Sequence, residues 1–261
     1  MAAQNLSLRR GCRAGIPVVA LVLALPVEGR AGEQKDAPGY ATLVGAEAEA
    51  CLRTARAAWK TFHQHTFGLA RIQDGRVEFD FRDSWKHDVA AYELDKLLGL
   101  GLVPPTVERR IDGRVGSLQL WIEGAMSDRD RRHKGLSPPD PAQWANRRAA
   151  IRFLRELAYD TDYNIQNTLI GPGFRVWAID FSRAFRVTPQ LPSPETLDRL
   201  SLATVERLRA LDRSTVETRL GAWLDGVQIE GLMKRRERML ALADERGSAR
   251  VDAGRGDQSV P

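Results

Sequence analysis

Hydrophobic side chains recur at helical spacing in the middle of this chain. Ala90, Leu94, Leu97 and Leu98 share one face when the segment is drawn as a helix, which predicts a helix over residues 86–98. Glycines and a pair of prolines follow it, and these residues commonly end helices. The segment is therefore predicted to be a helix with one buried face.

The second half of the chain is predicted to be mostly helical. Residues 142–159 place alanine, leucine and phenylalanine on one broad face, opposite Arg148, Arg152 and Arg155. The helical pattern then resumes over residues 194–245. These stretches predict a helical second half with its arginines directed to solvent.

Alternating residues around turn dipeptides predict strands. Asp74-Gly75 lies within the alternating segment 72–79, and Asp112-Gly113 lies between two further candidate strands. Such dipeptides between alternating runs are typical of hairpins. The two candidate strands around Asp112-Gly113 are residues 106–109 and 116–124, and residues 175–180 are a further predicted strand.

Three further segments complete the expected layout. Residues 56–60 either end an alanine-rich helix or form a short strand that closes on Lys60. Residues 126–141 are charged and rich in proline, which predicts a loop, and residues 247–261 predict a disordered tail. Strands in the first half followed by helices in the second predict an α+β fold with two lobes.

Composition narrows the class of protein. The chain has 261 residues, of which 43% are hydrophobic and 28% charged, as in ordinary globular proteins. This excludes wholesale disorder, collagen-like repeats and a polytopic membrane protein. Two cysteines are too few for a disulfide-rich scaffold or a zinc finger built from cysteines.

The N-terminus has the order of an export signal. Arginines in residues 8–13 precede the uncharged apolar run 14–25, and small residues flank Arg30. We therefore predict a signal peptide over residues 1–31, a linker over 32–40 and an exported protein, periplasmic or secreted. An uncleaved chain would be cytoplasmic. The run is shorter than the roughly 20 apolar residues that span a bilayer, so no transmembrane helix is expected in the mature chain.

The same leader explains most of the positive charge. Residues 1–31 hold four arginines and one acid, so the remaining chain carries a formal charge of +2 rather than +5. A nucleic-acid-binding domain needs a basic face on its folded part. The composition therefore argues against nucleic acid as a partner.

Acids and an amide after residue 160 form the densest candidate site. Asp162 is followed five residues later by Asn167, and Asp180 ends the next predicted strand. In phosphoryl transfer one carboxylate orients the acceptor hydroxyl and receives its proton. A second carboxylate and an amide oxygen are hard ligands for Mg²⁺. This order of residues predicts Asp162 as the carboxylate that orients or deprotonates the acceptor and Asn167 with Asp180 as metal ligands.

Phosphoryl transfer also needs a cation on the phosphates and a carboxylate that positions it. Lys60 is the candidate cation, and Asp88 or Glu93 on the predicted helix is its candidate partner. Asp88 lies in the first turn of that helix. Glu93 lies beside the apolar stripe, so periodicity alone favours it.

These residues resemble those of a known kinase family. DVAAYELDKLLGLGLVPPTVER (residues 88–109) is similar to the helix-and-strand segment of the secretory-pathway kinases typified by the Golgi casein kinase. It also resembles bacterial phosphatidylinositol 3-/4-kinase-like proteins. In that pattern the helix opens with a glutamate, where this chain has Asp88. Asp162 matches the start of the catalytic loop, Asn167 its amide, and Asp180 the metal-binding aspartate in an Ile-Asp context.

The resemblance implies an atypical kinase. The expected fold is a protein-kinase-like domain over residues 41–246, with a strand-rich N-lobe (41–124) and a helical C-lobe (125–246). The expected cofactors are ATP with Mg²⁺ or Mn²⁺, and the acceptor is an unidentified hydroxyl on a protein, a lipid or a small molecule. Lys60 would bind the phosphates, and Gln119 and Trp121 either flank the adenine as a hinge or belong to a core strand.

Four departures from the family pattern favour an alternative. No glycine-rich phosphate loop precedes Lys60, and Tyr163 replaces the arginine of the catalytic loop. Asp88 is one methylene shorter than glutamate. If the hairpin at Asp74-Gly75 were the lysine-bearing pair of the family, its second strand would lack the lysine. The alternative is a catalytically degenerate pseudokinase that binds a nucleotide or a partner.

Overall fold

A computed structural model describes residues 4–7, 21–24, 56–71, 77–160, 162, 164–197 and 201–255. In these ranges the fold is mixed α+β, with small sheets in the first half and helices mainly in the second. The strands are β1 (Gln4–Ser7), β2 (Leu21–Ala24), β3 (Ala57–Lys60), β4 (His63–Arg71), β5 (Val77–Ser84), β6 (Thr106–Ile111), β7 (Arg114–Leu120), β8 (Met126–Ser127), β9 (Thr168–Ile170) and β10 (Val176–Ala178).

Six α-helices lie within the described residues. They are α1 (Trp85–Leu98), α2 (Asp128–His133), α3 (Pro141–Ala158), α4 (Leu202–Ala210), α5 (Arg213–Leu220) and α6 (Gly226–Arg255). Short 3₁₀ turns occupy Ile165–Asn167, Pro172–Phe174 and Pro194–Thr196.

The strands form three sheets. The largest has the order β1-β2-β3-β7-β6, in which β1 and β2 run parallel and the other neighbours antiparallel. The order of the second is β10-β9-β8, and β4 pairs only with β5 in a separate hairpin. The large sheet therefore carries Lys60 at the end of β3, where Lys60 pairs with Ser117.

The β4–β5 hairpin exposes apolar side chains on one face. Leu69 pairs with Phe79 across the two strands, and Phe67 contacts Phe79 with ring centroids 6.0 Å apart. Leu69 is 77% exposed, Phe79 is 62% exposed and Phe67 is 82% exposed. Nearer α1 the second strand is buried, so the hairpin is anchored at that end.

Helix α1 is defined by its caps and its buried face. The Ser84 hydroxyl accepts from the amide of Lys86 at the start, which satisfies one unpaired N–H of the first turn. Gly99 ends the helix at φ 58°, in the left-handed region that favours glycine. Between them Leu94 and Leu98 are fully buried in the main hydrophobic core, together with side chains from α3, α5 and α6.

Helix α6 is joined to the rest of the fold by a buried arginine. The Arg235 side chain is 0% exposed and donates to the carbonyls of Leu157, Arg186 and Thr188 at 2.8, 2.8 and 2.5 Å. Burial lowers the pKa of Arg235 to about 9. One side chain thus links α6 to the end of α3 and to the segment that follows Asp180.

Most predicted elements are found, with shifted ends. The predicted helices 86–98 and 142–159 correspond to α1 and α3, and residues 56–60 form the strand alternative. The hairpin is present, although its turn at Asp74-Gly75 lies outside the described residues.

Two element predictions are wrong. The segment 126–141, expected as a loop, contains β8 and α2. Ser127 caps α2, and the buried Asp128 is bound by Arg131 and Arg148, which together fix a helix where the composition suggests a loop. The expected disordered tail is also wrong for residues 247–255, because α6 continues to Arg255.

The N-terminal predictions stay predictions. Residues 1–31 lie outside the described residues apart from β1 and β2, and the linker 32–40 lies outside them entirely. Among the described helices, none combines the length and apolar character that a membrane span requires.

Candidate functional site

Lys60 lies where the large sheet meets helix α1. It is the last residue of β3, whose Ala57 and Trp59 are buried while Lys60 points to the opposite side. This alternation is the ordinary period of a strand. The sheet therefore fixes the lysine backbone and directs its side chain towards the start of α1.

Three of the predicted site residues meet at this point. Lys60 Nζ is 3.1 Å from Asp88 Oδ2 and 2.7 Å from Asp180 Oδ1. The Asp88 side chain is only 2% exposed, whereas those of Lys60 and Asp180 are 26% and 39% exposed. The cluster is thus closed behind Asp88 and open to solvent at Lys60 and Asp180.

Backbone contacts hold the first turn of α1 against the residues after Asp180. The Phe181 amide donates to Asp88 Oδ1 at 2.9 Å. The Ser84 amide and the His87 ring both donate to the Ser182 carbonyl, at 2.9 and 2.7 Å. Asp180 itself has φ 61°, so the chain turns sharply there. These contacts explain how a first-turn aspartate reaches Lys60.

The three charges stabilise one another unequally. Burial disfavours the charged lysine, but Asp88 and Asp180 outweigh it and raise the pKa of Lys60. Lys60 lowers the pKa of Asp180. Burial raises the pKa of Asp88, and Lys60 opposes that rise. Lys60 and Asp180 are therefore charged at neutral pH.

Asp162 and Asn167 lie on one loop between α3 and β9. The Asn167 amide nitrogen donates to the Asp162 carbonyl at 3.0 Å, and the Asp162 amide donates to Asp160 Oδ1 at 3.0 Å. The Ile179 amide donates to the Asn167 carbonyl at 3.0 Å. The loop is thus bonded directly to the residue before Asp180, which brings its acid and its amide to the same region.

Arg155 on α3 ties this loop together, and the sequence analysis missed it. Its side chain is buried and pairs with Asp160. It also donates to the carbonyls of Asn167 and Ile179, at 2.9 and 3.0 Å. The prediction that Arg155 faces solvent is wrong, because its partners lie on the loop after the helix and just after β10.

Arg183 adds a second cation that the sequence analysis did not identify. Its Nε donates to Asp83 Oδ2 at 3.1 Å. Burial opposes its charge, but nearby carboxylates, including those of Asp83 and Asp162, raise its pKa. The charge of Arg183 thus interacts with that of Asp162, in a loop where this chain has Tyr163 in place of the arginine of the kinases it resembles. No sequence signal distinguished Arg183 from the other arginines.

Glu93 is not the partner of Lys60. Its carboxylate pairs with Lys96 at 2.7 Å and with Arg219 at 2.5 Å. The expectation that periodicity favours Glu93 is wrong, since Glu93 joins α1 to α5. Of the two candidates, the structure places only Asp88 on Lys60.

Gln119 and Trp121 use their polar groups within the fold. Gln119 pairs with Ala58 in the sheet, and its amide donates to the Thr106 hydroxyl at 2.8 Å. The Trp121 amide donates to the carbonyl of Arg56 at 2.9 Å, and the Arg56 guanidinium lies over the indole, 5.2 Å from its centroid. These contacts account for both residues as part of the sheet and its edge.

The donors at Asn167 and Asp180 fit a hard divalent cation. The Asn167 nitrogen is turned towards Asp162, which leaves its oxygen as the available ligand atom, and Asp180 keeps a partly exposed carboxylate. Mg²⁺ commonly takes one or two carboxylates from a protein and completes its shell with waters and phosphates. In the part of the chain that the structure describes, three or more His, Cys, Asp or Glu side chains do not converge as a closed metal cage.

Chemically, the arrangement offers an accessible cation, a carboxylate beside it and an acid on the neighbouring loop. Such a set can bind a phosphate chain and orient a hydroxyl group. Comparisons of this chain with protein-family models and with curated proteins find no match in either set.

Proposed function

We propose that this protein is an ATP-dependent phosphotransferase that moves the γ-phosphate to a hydroxyl acceptor. The observation that carries the proposal is the contact of Lys60 with Asp88 and Asp180, from three separate parts of the chain. Lys60 would bind the phosphates, and Asp88 would position its ammonium group. The proposed fold is a two-lobed, protein-kinase-like domain in which this contact bridges the lobes.

The loop residues supply the remaining roles. Asp162 would orient the acceptor hydroxyl and receive its proton, since it lies on the loop bonded to Asn167 and Ile179. Asn167 and Asp180 would hold Mg²⁺ or Mn²⁺, which neutralises charge on the transferring phosphate when bound. The ionised and partly exposed carboxylate of Asp180 favours a divalent cation beside it.

A second candidate function is a nucleotide-binding or partner-binding pseudokinase. The same contact favours it, because Asp180 Oδ1 is 2.7 Å from Lys60 Nζ and the lysine charge disfavours a metal ion on the same carboxylate. Asp88 is also shorter than the expected glutamate. This candidate predicts binding of the nucleotide without transfer of phosphate.

The test is metal-dependent stabilisation of the full chain by ATP. At a concentration about 100 times Kd, a ligand adds about 2.7 kcal/mol to the free energy of unfolding. For a domain of this size that is a rise in Tm of roughly 5–10 °C. We expect this rise with ATP and Mg²⁺ or Mn²⁺, and we expect Asp180→Asn and Lys60→Met to abolish it.

Glu237→Gln is the matched control, because Glu237 is an exposed acid on α6. It should keep the full rise in Tm. If folded wild-type protein shows no metal-dependent rise, the proposal is overturned. Release of ADP in the presence of hydroxyl acceptors then separates the two candidates. Turnover that Asp162→Asn abolishes without loss of ATP binding supports the enzyme, and binding without turnover supports the pseudokinase.

A further inference from the structure

A second polar cavity lies away from Lys60, and we call it the basic pocket. It is enclosed by the β4–β5 hairpin, the first turn of α1 and residues 221–228, and its volume is about 350 Å³. Its polar lining includes His63, Arg82, Lys86 and Asp225. The volume is at the lower end of the range for small-molecule sites, which suits a compact ligand.

The side chains that line the basic pocket include two cations, Arg82 and Lys86, and one carboxylate. Asp225 is the one carboxylate among its lining residues, and it is paired with Arg82 at 2.5 Å. Within the described residues no carboxylate lies within ion-pair distance of Lys86, which is half-buried at the start of α1. The ammonium group of Lys86 therefore supplies the excess charge.

Two further acids lie near the pocket but outside its lining. Asp80 is bonded to His65 and shares Arg82 with Asp225, at 2.6 Å from His65 and 2.9 Å from Arg82. Asp83 is bonded to Arg183. Neither of these carboxylates forms an ion pair with Lys86.

The histidines of the pocket respond to this positive charge. Burial lowers the pKa of His63, and Lys86, His65 and Arg82 lower it further. His63 Nδ1 is 2.7 Å from the Ser84 hydroxyl, so its ring is held at the pocket wall. An anion in the pocket can accept a hydrogen bond from the neutral His63 ring and form an ion pair with Lys86.

The back wall of the pocket is rigid. His87 is 3% exposed, and burial lowers its pKa to about 4. Its Nδ1 donates to Ser182, and its Nε2 accepts from the Gln228 amide at 3.1 Å. A neutral His87 with both nitrogens bonded fixes α1 against α6, so the cavity between them is preformed.

We propose that the basic pocket binds a phosphate group, either as inorganic phosphate or as a small phosphomonoester. Lys86 pairs with the phosphate oxygens, and His63 adds a hydrogen bond. The cavity has room for a small organic group beyond the phosphate itself. This site is separate from the proposed nucleotide site, because Lys60 and Asp180 do not line it.

The test is calorimetric titration of the full chain at constant ionic strength, with inorganic phosphate in one arm and glycerol 3-phosphate in the other. We expect saturable binding of at least one of the two anions, and the arm that binds more tightly identifies the free ion or the ester. Lys86→Met should weaken it about tenfold or more, as expected for loss of one charge-assisted hydrogen bond. His63→Gln should also weaken it.

Two controls locate the binding. Lys134→Met removes an exposed lysine at the end of α2 and should leave the affinity unchanged. Lys60→Met should also leave it unchanged. If the phosphate bound at the proposed nucleotide site instead, this variant would lose binding. The proposal is overturned if neither anion binds wild-type protein, if Lys86→Met binds as well as wild type, or if only Lys60→Met loses binding. Since no nucleotide is added, this result is independent of the ATP experiment.

Discussion

The buried contact between Arg155 and Asp160 offers the sharpest test of how the candidate site is held together. Both residues are almost inaccessible, at 3% and 5% exposure. Arg155→Met keeps much of the side-chain volume but removes the charge and its bonds to the carbonyls of Asn167 and Ile179. Asp160 then remains as a buried carboxylate without its cation.

The expected cost follows from these contacts. Removing one partner of a buried ion pair costs about 3–5 kcal/mol. The Ile179 carbonyl also loses its donor, at a cost of about 1–3 kcal/mol. Because the two terms overlap, we expect Arg155→Met to lower the free energy of unfolding by at least about 3 kcal/mol. That is a large part of the roughly 5–15 kcal/mol of a typical domain.

Urea unfolding followed by circular dichroism measures this loss as a lower midpoint at unchanged slope. Arg129→Met is the matched control, since Arg129 is exposed on α2, and it should change stability by less than about 0.5 kcal/mol. The double variant Arg155→Met/Asp160→Asn removes both charges and should be more stable than Arg155→Met alone. A loss below about 1 kcal/mol in Arg155→Met, or no recovery in the double variant, would refute the reasoning.

Three further predictions concern other parts of the fold. Burial raises the pKa of Asp95 to about 7, so the folded state binds its proton more tightly than the unfolded state, and this contribution to stability falls as pH rises from about 4 to 7. Asp95→Asn should remove that fall. Urea midpoints of the wild type and the variant, measured across this pH range, test this, and the same dependence on pH in both proteins would contradict the reasoning. Gly99→Ala should lower the free energy of unfolding, measured thermally, by about 1 kcal/mol or more. The reasons are its φ of 58° and the distance of 3.1 Å between an added Cβ and the Arg207 guanidinium. Gly226→Ala is the control and should cost little, because the space around Gly226 is open. Leu94→Ala, at a fully buried position, should lower the free energy of unfolding in urea by about 2–5 kcal/mol. Leu69→Ala, at a position 77% exposed, should lower it far less. Equal losses would contradict the assigned core.

Local patterns were sufficient to predict the helices that carry the site. Helix α1 was predicted because its apolar positions repeat regularly and Gly99 ends it, and both are properties of neighbouring residues. The order of Asp162, Asn167 and Asp180 could also be recognised, because their separation along the chain is short. The structure brings their loops together through backbone hydrogen bonds.

Contacts between distant residues were beyond the reach of these patterns. Periodicity favoured Glu93 over Asp88 because it ignores the Phe181 amide, which fixes Asp88 beside Lys60. It also placed Arg155 in solvent, since a buried arginine is stabilised only by partners on other elements. Ion pairs and carbonyl acceptors of this kind depend on tertiary packing, which the spacing of apolar residues does not encode.

Arg235 has a consequence for how the segment after Asp180 can behave. In many proteins such a segment becomes ordered only after a modification adds charge. Here the arginine bonds the carbonyls of Arg186 and Thr188 from α6, and Gly231 lets the helix approach so closely that a Cβ would lie 2.7 Å from the Val187 carbonyl. The segment is consequently built into the folded core. The amide of the buried Phe185, which donates to the Ala158 carbonyl, should exchange with solvent at a rate close to that set by global unfolding.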